Sequence, residues 1–312
     1  MDIIEGVPTE QEQERRRALH LIETEELEAA IKAQSPPLRI VDMRGYVHTQ
    51  MQEDGVQTAV YTGAPEEYAA AHIPGAVYLD WTRDIVDLDA PVAAQVADAR
   101  KMQQVLEAAG IGDDQEIVVY DAHPASQFAT RLWWALRYYG HTRVRVLNGG
   151  WAKWTREGRP TTDAVPHFPP AVFTPHLDPE WRATAEEVRD LLHASGVLLL
   201  DARDAGQYSG RIRRGKRGGH IPGARHLPRE AFFEQNGTFR TMPELASIVQ
   251  ETGARSEERI IAYCNGGVAA TSVLFVLSLL GFPHLTNYDG SWNEWTERPE
   301  LPIETPPQPS PS

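Results

Sequence analysis

The chain contains a single cysteine, Cys264, and the residues around it suit a reactive thiol. An apolar run, Ile260–Tyr263, leads directly into the cysteine, and a second apolar run, Val273–Leu280, follows it and is closed by Gly281. This pattern predicts a buried strand, a short glycine-containing loop and a helix. Backbone N–H groups left free before the helix, and the positive end of its dipole, would favour the thiolate over the thiol. A lone cysteine is also often only a small buried apolar side chain, which is the alternative interpretation.

Composition limits the classes of function that the chain can have. Its 312 residues suit two domains, and 41% hydrophobic residues are enough for packed cores. The net charge of −14 disfavours a nucleic-acid partner, and no apolar run approaches the roughly 20 residues of a membrane span. One cysteine excludes an intrachain disulfide framework and a cysteine-rich metal site. The acidic N-terminus does not look like a secretory signal, so we expect a cytoplasmic protein without a cofactor.

The two halves of the chain carry the same landmarks in the same order. Each half has an apolar strand ending in Asp-x-Arg, the string His-Ile-Pro-Gly-Ala, a strand that leads into a loop, and a pair of tryptophans three residues apart. These landmarks begin at Asp42, His72, Asp121 and Trp151 in the first half, and at Asp201, His220, Cys264 and Trp292 in the second. A repeated order of this kind indicates a duplicated domain. The alternation of strands and helices predicts an α/β fold with two tandem domains, each a parallel sheet with helices on both faces.

The same landmarks give the domain boundaries. We expect a first domain over residues 21–156 and a second over residues 180–300, joined by a proline-rich linker at 157–179. Residues before the first domain are polar and predict a mobile arm or a surface helix. The Pro/Ser-rich segment 301–312 predicts a disordered tail.

In these landmarks the sequence resembles the tandem-domain rhodaneses, a family of sulfurtransferases, over about residues 21–299. The resemblance rests on the paired His-Ile-Pro-Gly-Ala strings, the paired Asp-x-Arg motifs, the Tyr263-Cys264 pair and the string Tyr288–Trp292. It implies two rhodanese-like domains and a thiosulfate or 3-mercaptopyruvate sulfurtransferase-like activity that passes through a persulfide of Cys264. It also implies that the first domain has lost its cysteine, because Asp121 stands there. We interpret the first domain as a catalytically inactive scaffold beside the cleft.

A persulfide cycle needs stabilisation of negative charge, here without a metal. The loop after the cysteine could provide it through the backbone N–H groups of Asn265, Gly266, Gly267, Val268 and Ala269. The two glycines would let the loop curl so that several of these groups point inward. Hydrogen bonds to a charged acceptor contribute roughly 1.5–3 kcal/mol each, and the helix dipole only about 0.3–1 kcal/mol. The amides should therefore dominate.

The loop does not decide between sulfur donors. Relatives that use thiosulfate typically carry basic residues directly after the cysteine, where this chain has Asn265 and Gly266. Relatives that use 3-mercaptopyruvate typically carry glycine and then serine, and Gly266 offers no hydroxyl. We therefore expect a small anionic donor of either kind. The acceptor would be a thiol or cyanide, with a protein thiol as a further option.

Basic charge is concentrated in the segment Arg211–Arg217 of an otherwise acidic chain. We predict that this segment draws in the anionic donor, with Arg211 as the direct contact. The alternative is a solvated surface loop. Gln207 stands where relatives often have an arginine.

The motifs are also compatible with other functions. A phosphatase of the same fold needs an arginine at the position of Ala270, so that reading is disfavoured. A non-catalytic binding or sulfur-sensing module is the main alternative to an enzyme. Asp121 and His123 could form a separate acid–base site. The two repeated histidines, the two Asp-x-Arg motifs and the tryptophan pairs are expected to be structural.

Overall fold

The computed structural model describes residues 10–34 and 37–305. The first nine residues of the predicted arm and residues 306–312 of the predicted tail lie outside this range. The elements of the first half are α1 (Glu10–His20), β1 (Leu21–Ile22), α2 (Thr24–Lys32), β2 (Leu38–Asp42), β3 (Gly45–Met51), β4 (Gln57–Gly63), α3 (Pro65–Ala70), β5 (Ala76–Tyr78), α4 (Ala99–Ala108), β6 (Glu116–Tyr120), α5 (Gln127–Tyr138), β7 (Val144–Leu147) and α6 (Gly150–Arg156).

The second half repeats most of this order. A 3-10 turn at Pro179–Trp181 precedes it and another lies at Arg229–Phe232. Its elements are β8 (Arg182–Ala183), α7 (Ala185–Asp190), β9 (Val197–Asp201), α8 (Ala205–Tyr208), β10 (Arg225–His226), α9 (Met242–Glu251), β11 (Arg259–Tyr263), α10 (Ala270–Leu280), β12 (Leu285–Tyr288) and α11 (Ser291–Trp295). No helix within the described ranges has both the length and the apolar character needed to cross a membrane.

Each half forms a five-stranded parallel sheet, and the two strand orders are equivalent. The first is β1-β7-β6-β2-β5 and the second is β8-β12-β11-β9-β10. The predicted fold class is confirmed. In both sheets the central strand, β6 or β11, ends beside the Asp-x-Arg strand, with Tyr120 opposite Asp42 and Tyr263 opposite Asp201. The carboxyl edge of each sheet therefore holds the loop that follows the central strand, which is where parallel sheets bind ligands.

The helix after Cys264 begins earlier than its apolar pattern predicts. Helix α10 starts at Ala270, and Gly281 ends it with a φ of +89°, in the left-handed region that favours glycine. Thr184 caps α7, since its hydroxyl accepts a hydrogen bond from the amide of Glu187 at 3.2 Å.

The first domain also contains an antiparallel hairpin, β3–β4, that was not predicted from the sequence. It projects from the first sheet and reaches the second domain. The amide of Gln57 donates to the carbonyl of Arg213 at 2.7 Å, and the Arg213 guanidinium donates to the carbonyl of Asp54 at 2.5 Å. The first domain thus forms part of the wall above the carboxyl edge of the second sheet.

The two domains share one apolar core along α5 and α10. A single buried cluster runs from Leu21 to Leu285 and includes the edge-to-face pair Trp133–Phe275, with ring centroids 5.1 Å apart. At the centre of the interface the Thr130 hydroxyl lies 3.0 Å from that of Thr271 and 3.1 Å from that of Ser272. The cleft between the domains is therefore fixed by packed helices.

The boundary predicted for the disordered tail, at residue 301, lies too early in the chain. Leu301 is buried, and Glu304 forms a two-bond backbone bridge with His220, at 2.8 and 2.9 Å. Arg217 also donates to the carbonyl of Leu301 at 2.8 Å. Residues 301–305 are thus part of the second domain, because they complete the backbone hydrogen bonds of the His-Ile-Pro-Gly-Ala segment.

Candidate active site

Cys264 lies between the end of β11 and the start of α10, on the wall of a cavity of about 280 Å³ between the domains. Its side chain is only 3% exposed, and it also touches the shared apolar core. The second domain contributes the loop to the cavity and the first domain contributes the facing wall. Loop residues on the wall are Asn265, Gly266, Val268 and Ala269, and residues of the first domain include Val47, Gln57, Tyr61, Trp81, His123 and Gln127.

The carbonyl groups of the loop are held by donors in the body of the protein. The amide of Trp292 donates to the Cys264 carbonyl at 3.1 Å, and that of Asn293 donates to the Asn265 carbonyl at 2.8 Å. The Gly267 carbonyl accepts from the side chains of Arg131 and Asn287 at 3.1 and 2.9 Å. The Val268 carbonyl accepts from the amide and hydroxyl of Thr271 at 3.1 and 2.6 Å, and the Ala269 carbonyl accepts from the amide of Ser272 at 3.2 Å.

A trans peptide points its N–H away from its C=O. The amides of Asn265, Gly266, Val268 and Ala269 therefore turn away from these donors, and they belong to the four loop residues that line the cavity. None of the amides from Asn265 to Ala269 has a hydrogen-bond acceptor within residues 10–34 and 37–305. The loop is thus able to receive an anion through several main-chain donors.

Gly267 makes the turn of this loop possible, whereas Gly266 is not in the left-handed region. The φ of Gly267 is +71°, and a Cβ there would come within 2.6 Å of the carbonyl oxygen of Asp289. Asp289 in turn forms a buried ion pair with Arg131, with nitrogen and oxygen 2.7 Å apart and both side chains 1% exposed. Arg131 comes from the first domain, so both domains hold the loop from behind.

Asp121 occupies the equivalent loop of the first domain and shows what that loop binds. Its carboxylate accepts hydrogen bonds from the amides of His123, Phe128 and Ala129 at 2.8–2.9 Å. The side chain is 1% exposed, and this burial raises the pKa of Asp121 to about 7. In the first domain, the loop equivalent to the Cys264 loop therefore binds the two carboxyl oxygens of Asp121 with main-chain N–H donors. The structure does not support a separate acid–base site formed by Asp121 and His123, because both carboxyl oxygens of Asp121 are already hydrogen-bonded to the amides of its own loop.

Arg211 does not line the cavity, and the prediction that it contacts the donor does not fit the structure. Its side chain is exposed and its Nε bonds the Ser209 hydroxyl at 3.3 Å. Arg214 takes its place on the wall and is 8% exposed. The Arg214 guanidinium donates to the hydroxyl of Tyr61 at 3.0 Å, and no carboxylate of the described residues pairs with it. Spacing within the basic segment could not identify which arginine turns inward.

The rest of the basic segment holds the fold together. The guanidinium of Arg217 donates to four carbonyls, those of Trp295, Thr296, Arg298 and Leu301. Lys216 pairs with Glu297 at 2.7 Å on the surface. The segment therefore contributes one cation to the cavity rather than a general basic patch.

Three carboxamides link the loop to the hairpin. The side-chain Nδ2 of Asn265 donates to Oε1 of Gln207 at 2.9 Å, and Nε2 of Gln207 donates to Oε1 of Gln57 at 2.8 Å. Gln207 therefore has a neutral partner on each side. Gln57 was not predicted as a site residue, because it lies on the hairpin that the sequence did not predict.

The repeated motifs outside the loop are structural, as predicted. Arg203 binds Asp201 through two nitrogens and donates to the carbonyl of Gly219 at 2.7 Å, and both side chains are buried. Its guanidinium lies 4.3 Å from the ring centre of Trp292, and Arg44 makes the same contact with Trp151. These contacts brace the strand ends and do not reach the cavity.

Two further residues of the wall carry no signal in the sequence. Arg229 and Glu230 follow β10 and line the cavity, with 2.8 Å between their charged groups. His123 lies on the same wall. Its burial lowers the pKa of its ring to about 3, and the charge of Arg229 adds a smaller contribution. Its ring is therefore neutral, and Nδ1 accepts from the amide of Ala125 at 3.0 Å. The site thus combines one thiol, free main-chain donors and two arginines, which suits chemistry on an anion.

Proteins that are similar to this chain in sequence or in fold carry names that refer to sulfur transfer. A model described as the rhodanese-like domain matches the chain twice, over residues 23–157 and 184–298. The sulfur carrier protein TtuD of Thermus thermophilus is 35% identical over 251 residues, 76% of this chain and 86% of that protein. A thiosulfate sulfurtransferase of Corynebacterium glutamicum is also 35% identical, over 76% of this chain and 81% of that protein. The structure of the Escherichia coli 3-mercaptopyruvate sulfurtransferase SseA matches with a TM-score of 0.75 and 29% identity, over 87% of this chain and 98% of that one.

Proposed function

The chain belongs to the rhodanese family and is a sulfurtransferase, and on that premise we propose that Cys264 carries the transferred sulfur as a persulfide. The donor is a small anion, thiosulfate or 3-mercaptopyruvate, and the acceptor is a thiol or cyanide. The observation that carries the proposal is the geometry of the loop. The carbonyls of Cys264, Asn265, Gly267 and Val268 are bound from behind, while the amides from Asn265 to Ala269 have no acceptor among the residues that the structure describes.

In the first half-reaction the Cys264 thiolate attacks the outer sulfur of the donor. With thiosulfate a new sulfur–sulfur bond forms, the bond to the sulfonate breaks, and sulfite leaves with its electron pair. With 3-mercaptopyruvate the carbon–sulfur bond breaks instead, and the enolate of pyruvate takes up the proton that the donor thiol gives up. Both routes leave a persulfide on Cys264, whose negative charge the loop amides stabilise by roughly 1.5–3 kcal/mol per hydrogen bond.

Arg214 is the proposed contact for the anionic group of the donor. A guanidinium that is 8% exposed and has no carboxylate partner in the described chain is costly unless an anion reaches it. The loop and Arg214 lie on the wall of the same cavity, so one donor could contact both. The sulfonate of thiosulfate and the carboxylate of 3-mercaptopyruvate are both suitable anions for a guanidinium.

The relatives named as thiosulfate sulfurtransferases make thiosulfate the first donor to test. The protein is incubated with thiosulfate or with 3-mercaptopyruvate, and intact mass is measured. We expect the mass of one sulfur atom to be added by at least one donor, to be removed again by cyanide, and to be absent from Cys264→Ser. Retention of the added sulfur by Cys264→Ser would contradict the assignment.

A non-catalytic binding or sulfur-sensing module is the alternative. It predicts that neither donor loads the protein at a rate that supports turnover, and that Cys264→Ser keeps the biological activity. Loading and discharge in repeated cycles distinguish the enzyme from the module, because a sensor needs to be modified only once.

A further inference from the structure

A second and larger cavity adjoins the one that contains Cys264. Its volume is about 720 Å³, and His123, Arg229 and Glu230 belong to the walls of both cavities. Its remaining walls come from both domains, with Pro124 and Ala125 on one side and residues 233–236 with Arg240 on the other. A molecule in this second cavity therefore lies next to the cavity that contains Cys264, which we call the thiol chamber.

The shared and outer walls carry charges of both signs. Arg229 pairs with Glu230 at 2.8 Å, and Arg240 pairs with Glu234 at 3.0 Å. These pairs leave donors unused: the Nε of Arg229 is buried without a partner, and no hydrogen bond within the described ranges uses the Nη2 of Arg240. Both glutamates are exposed, at 54% and 43%. The cavity thus offers cations and carboxylates to a ligand in equal number.

This combination does not suit the sulfur donor or cyanide. Both are small enough for the thiol chamber, and a simple anion would gain nothing from the two glutamates. The cavity volume lies in the range of sites for larger small molecules, and Phe233 adds an apolar surface to the charged groups. A ligand with a carboxylate, an ammonium group and a short backbone would meet both charge pairs.

We propose that the second cavity binds the sulfur acceptor, and that this acceptor is a zwitterionic thiol of amino-acid or small-peptide size. The inference rests on the persulfide cycle proposed above. The acceptor thiolate attacks the outer sulfur of the Cys264 persulfide, the sulfur–sulfur bond to Cys264 breaks, and Cys264 leaves as a thiolate. The acceptor departs as its persulfide, so electrons balance without an external oxidant or reductant. Arg229 and Arg240 hold the carboxylate, and Glu230 and Glu234 hold the ammonium group.

The two half-reactions allow a direct test. The full-length protein is loaded with donor, the donor is removed, and discharge is followed by intact mass with glutathione, 2-mercaptoethanol or cyanide as acceptor. The ratio of the rate constants for glutathione and 2-mercaptoethanol cancels any change in the reactivity of the persulfide. We expect Arg240→Met and Glu234→Gln each to lower this ratio about 10-fold, as loss of one charged hydrogen bond implies. Arg255→Met removes an exposed arginine that pairs with Glu257 and Glu258 and lines neither cavity, so it should leave the ratio unchanged.

Failure of this inference can be told apart from failure of the persulfide cycle. A wild-type protein that never loads contradicts the cycle itself. A protein that loads but shows the same ratio in all three variants excludes the second cavity as the acceptor site. Discharge by a reduced protein thiol but not by glutathione excludes a small acceptor. If Arg240→Met loads poorly or melts early, Glu234→Gln decides the question, because among the described residues the Glu234 side chain pairs only with Arg240.

Discussion

At the scale of single residues, Arg214 is the group whose surroundings most need a ligand. Its charge is almost fully buried, and within the described chain its side chain bonds only a neutral phenol. Arg211, three positions earlier, is exposed and lies away from the cavity. The pair therefore provides a variant and a matched control from the same basic segment.

We expect Arg214→Met to lower kcat/KM for the sulfur donor by about 10- to 100-fold, because a charged hydrogen bond contributes roughly 1.5–3 kcal/mol. Arg211→Met should stay within about twofold of the wild type, since an exposed charge contributes little. Steady-state kinetics with each donor measure both values. Equal loss in the two variants would mean that the segment acts only through its overall charge.

Asp121 allows a second test at this scale. Burial raises its pKa to about 7 in the folded protein, above the ordinary 3.8. Between these values the folded protein keeps a proton that the unfolded chain has released, so the stability that this group contributes falls as the pH rises through the interval.

We therefore expect the free energy of unfolding of the wild type, relative to Asp121→Asn, to decrease between about pH 4 and pH 7. Denaturant titrations at several pH values measure this difference. Asp114→Asn is the control, because the Asp114 side chain is 99% exposed. A difference that is flat with pH, or that increases, would show that the three main-chain amides keep Asp121 ionised in the folded state.

At the scale of elements, the loop between β11 and α10 depends on the two glycines unequally. Gly267 has a positive φ and sits against the backbone of Asp289, whereas a Cβ at Gly266 would meet its nearest atom at 3.3 Å. We expect Gly267→Ala to reduce the free energy of unfolding by about 1–3 kcal/mol and to slow persulfide loading at least 10-fold. Gly266→Ala should fold normally. Chemical denaturation and loading kinetics of the two variants test this, and similar losses in both would mean that the loop simply lacks room for a methyl group.

Much of this element was predictable from the sequence, and the hairpin opposite it was not. The strand before Cys264, the loop and Gly281 follow from an apolar run and a glycine, which are local signals. The β3–β4 hairpin had a local signal too, since Asp54-Gly55 lies between two alternating segments, as hairpin turns often do. The contacts of Arg214 with Tyr61 and of Gln207 with Gln57 had none, because they join residues from different domains. Their positions depend on how the domains pack.

At the scale of the whole molecule, the shared core makes the two domains one cooperative unit. The cluster along α5 and α10 is continuous, and the buried pair Arg131–Asp289 crosses the interface. We expect a single unfolding transition, seen alike by circular dichroism and by tryptophan fluorescence. Arg131→Met should lower the free energy of unfolding by about 3–5 kcal/mol, because it leaves Asp289 buried without that partner.

Arg143→Met is the control for this prediction. Its exposed pair with Asp114, 3.9 Å long, should contribute at most about 1 kcal/mol. Two separate transitions in the wild type would contradict the shared core.

The presence of only one cysteine has a consequence for the sulfur atom that we propose Cys264 carries. In the persulfide cycle proposed above, no other thiol in the chain can attack the sulfur bound to Cys264, so an internal disulfide cannot form and unload the protein. The sulfur-loaded form of that cycle therefore needs an external acceptor, and each chain would hold one transferable sulfur atom. For the same reason, a sulfenic acid on Cys264 cannot be trapped as an internal disulfide, so an external thiol must reduce it before it is oxidised irreversibly to the sulfinic acid.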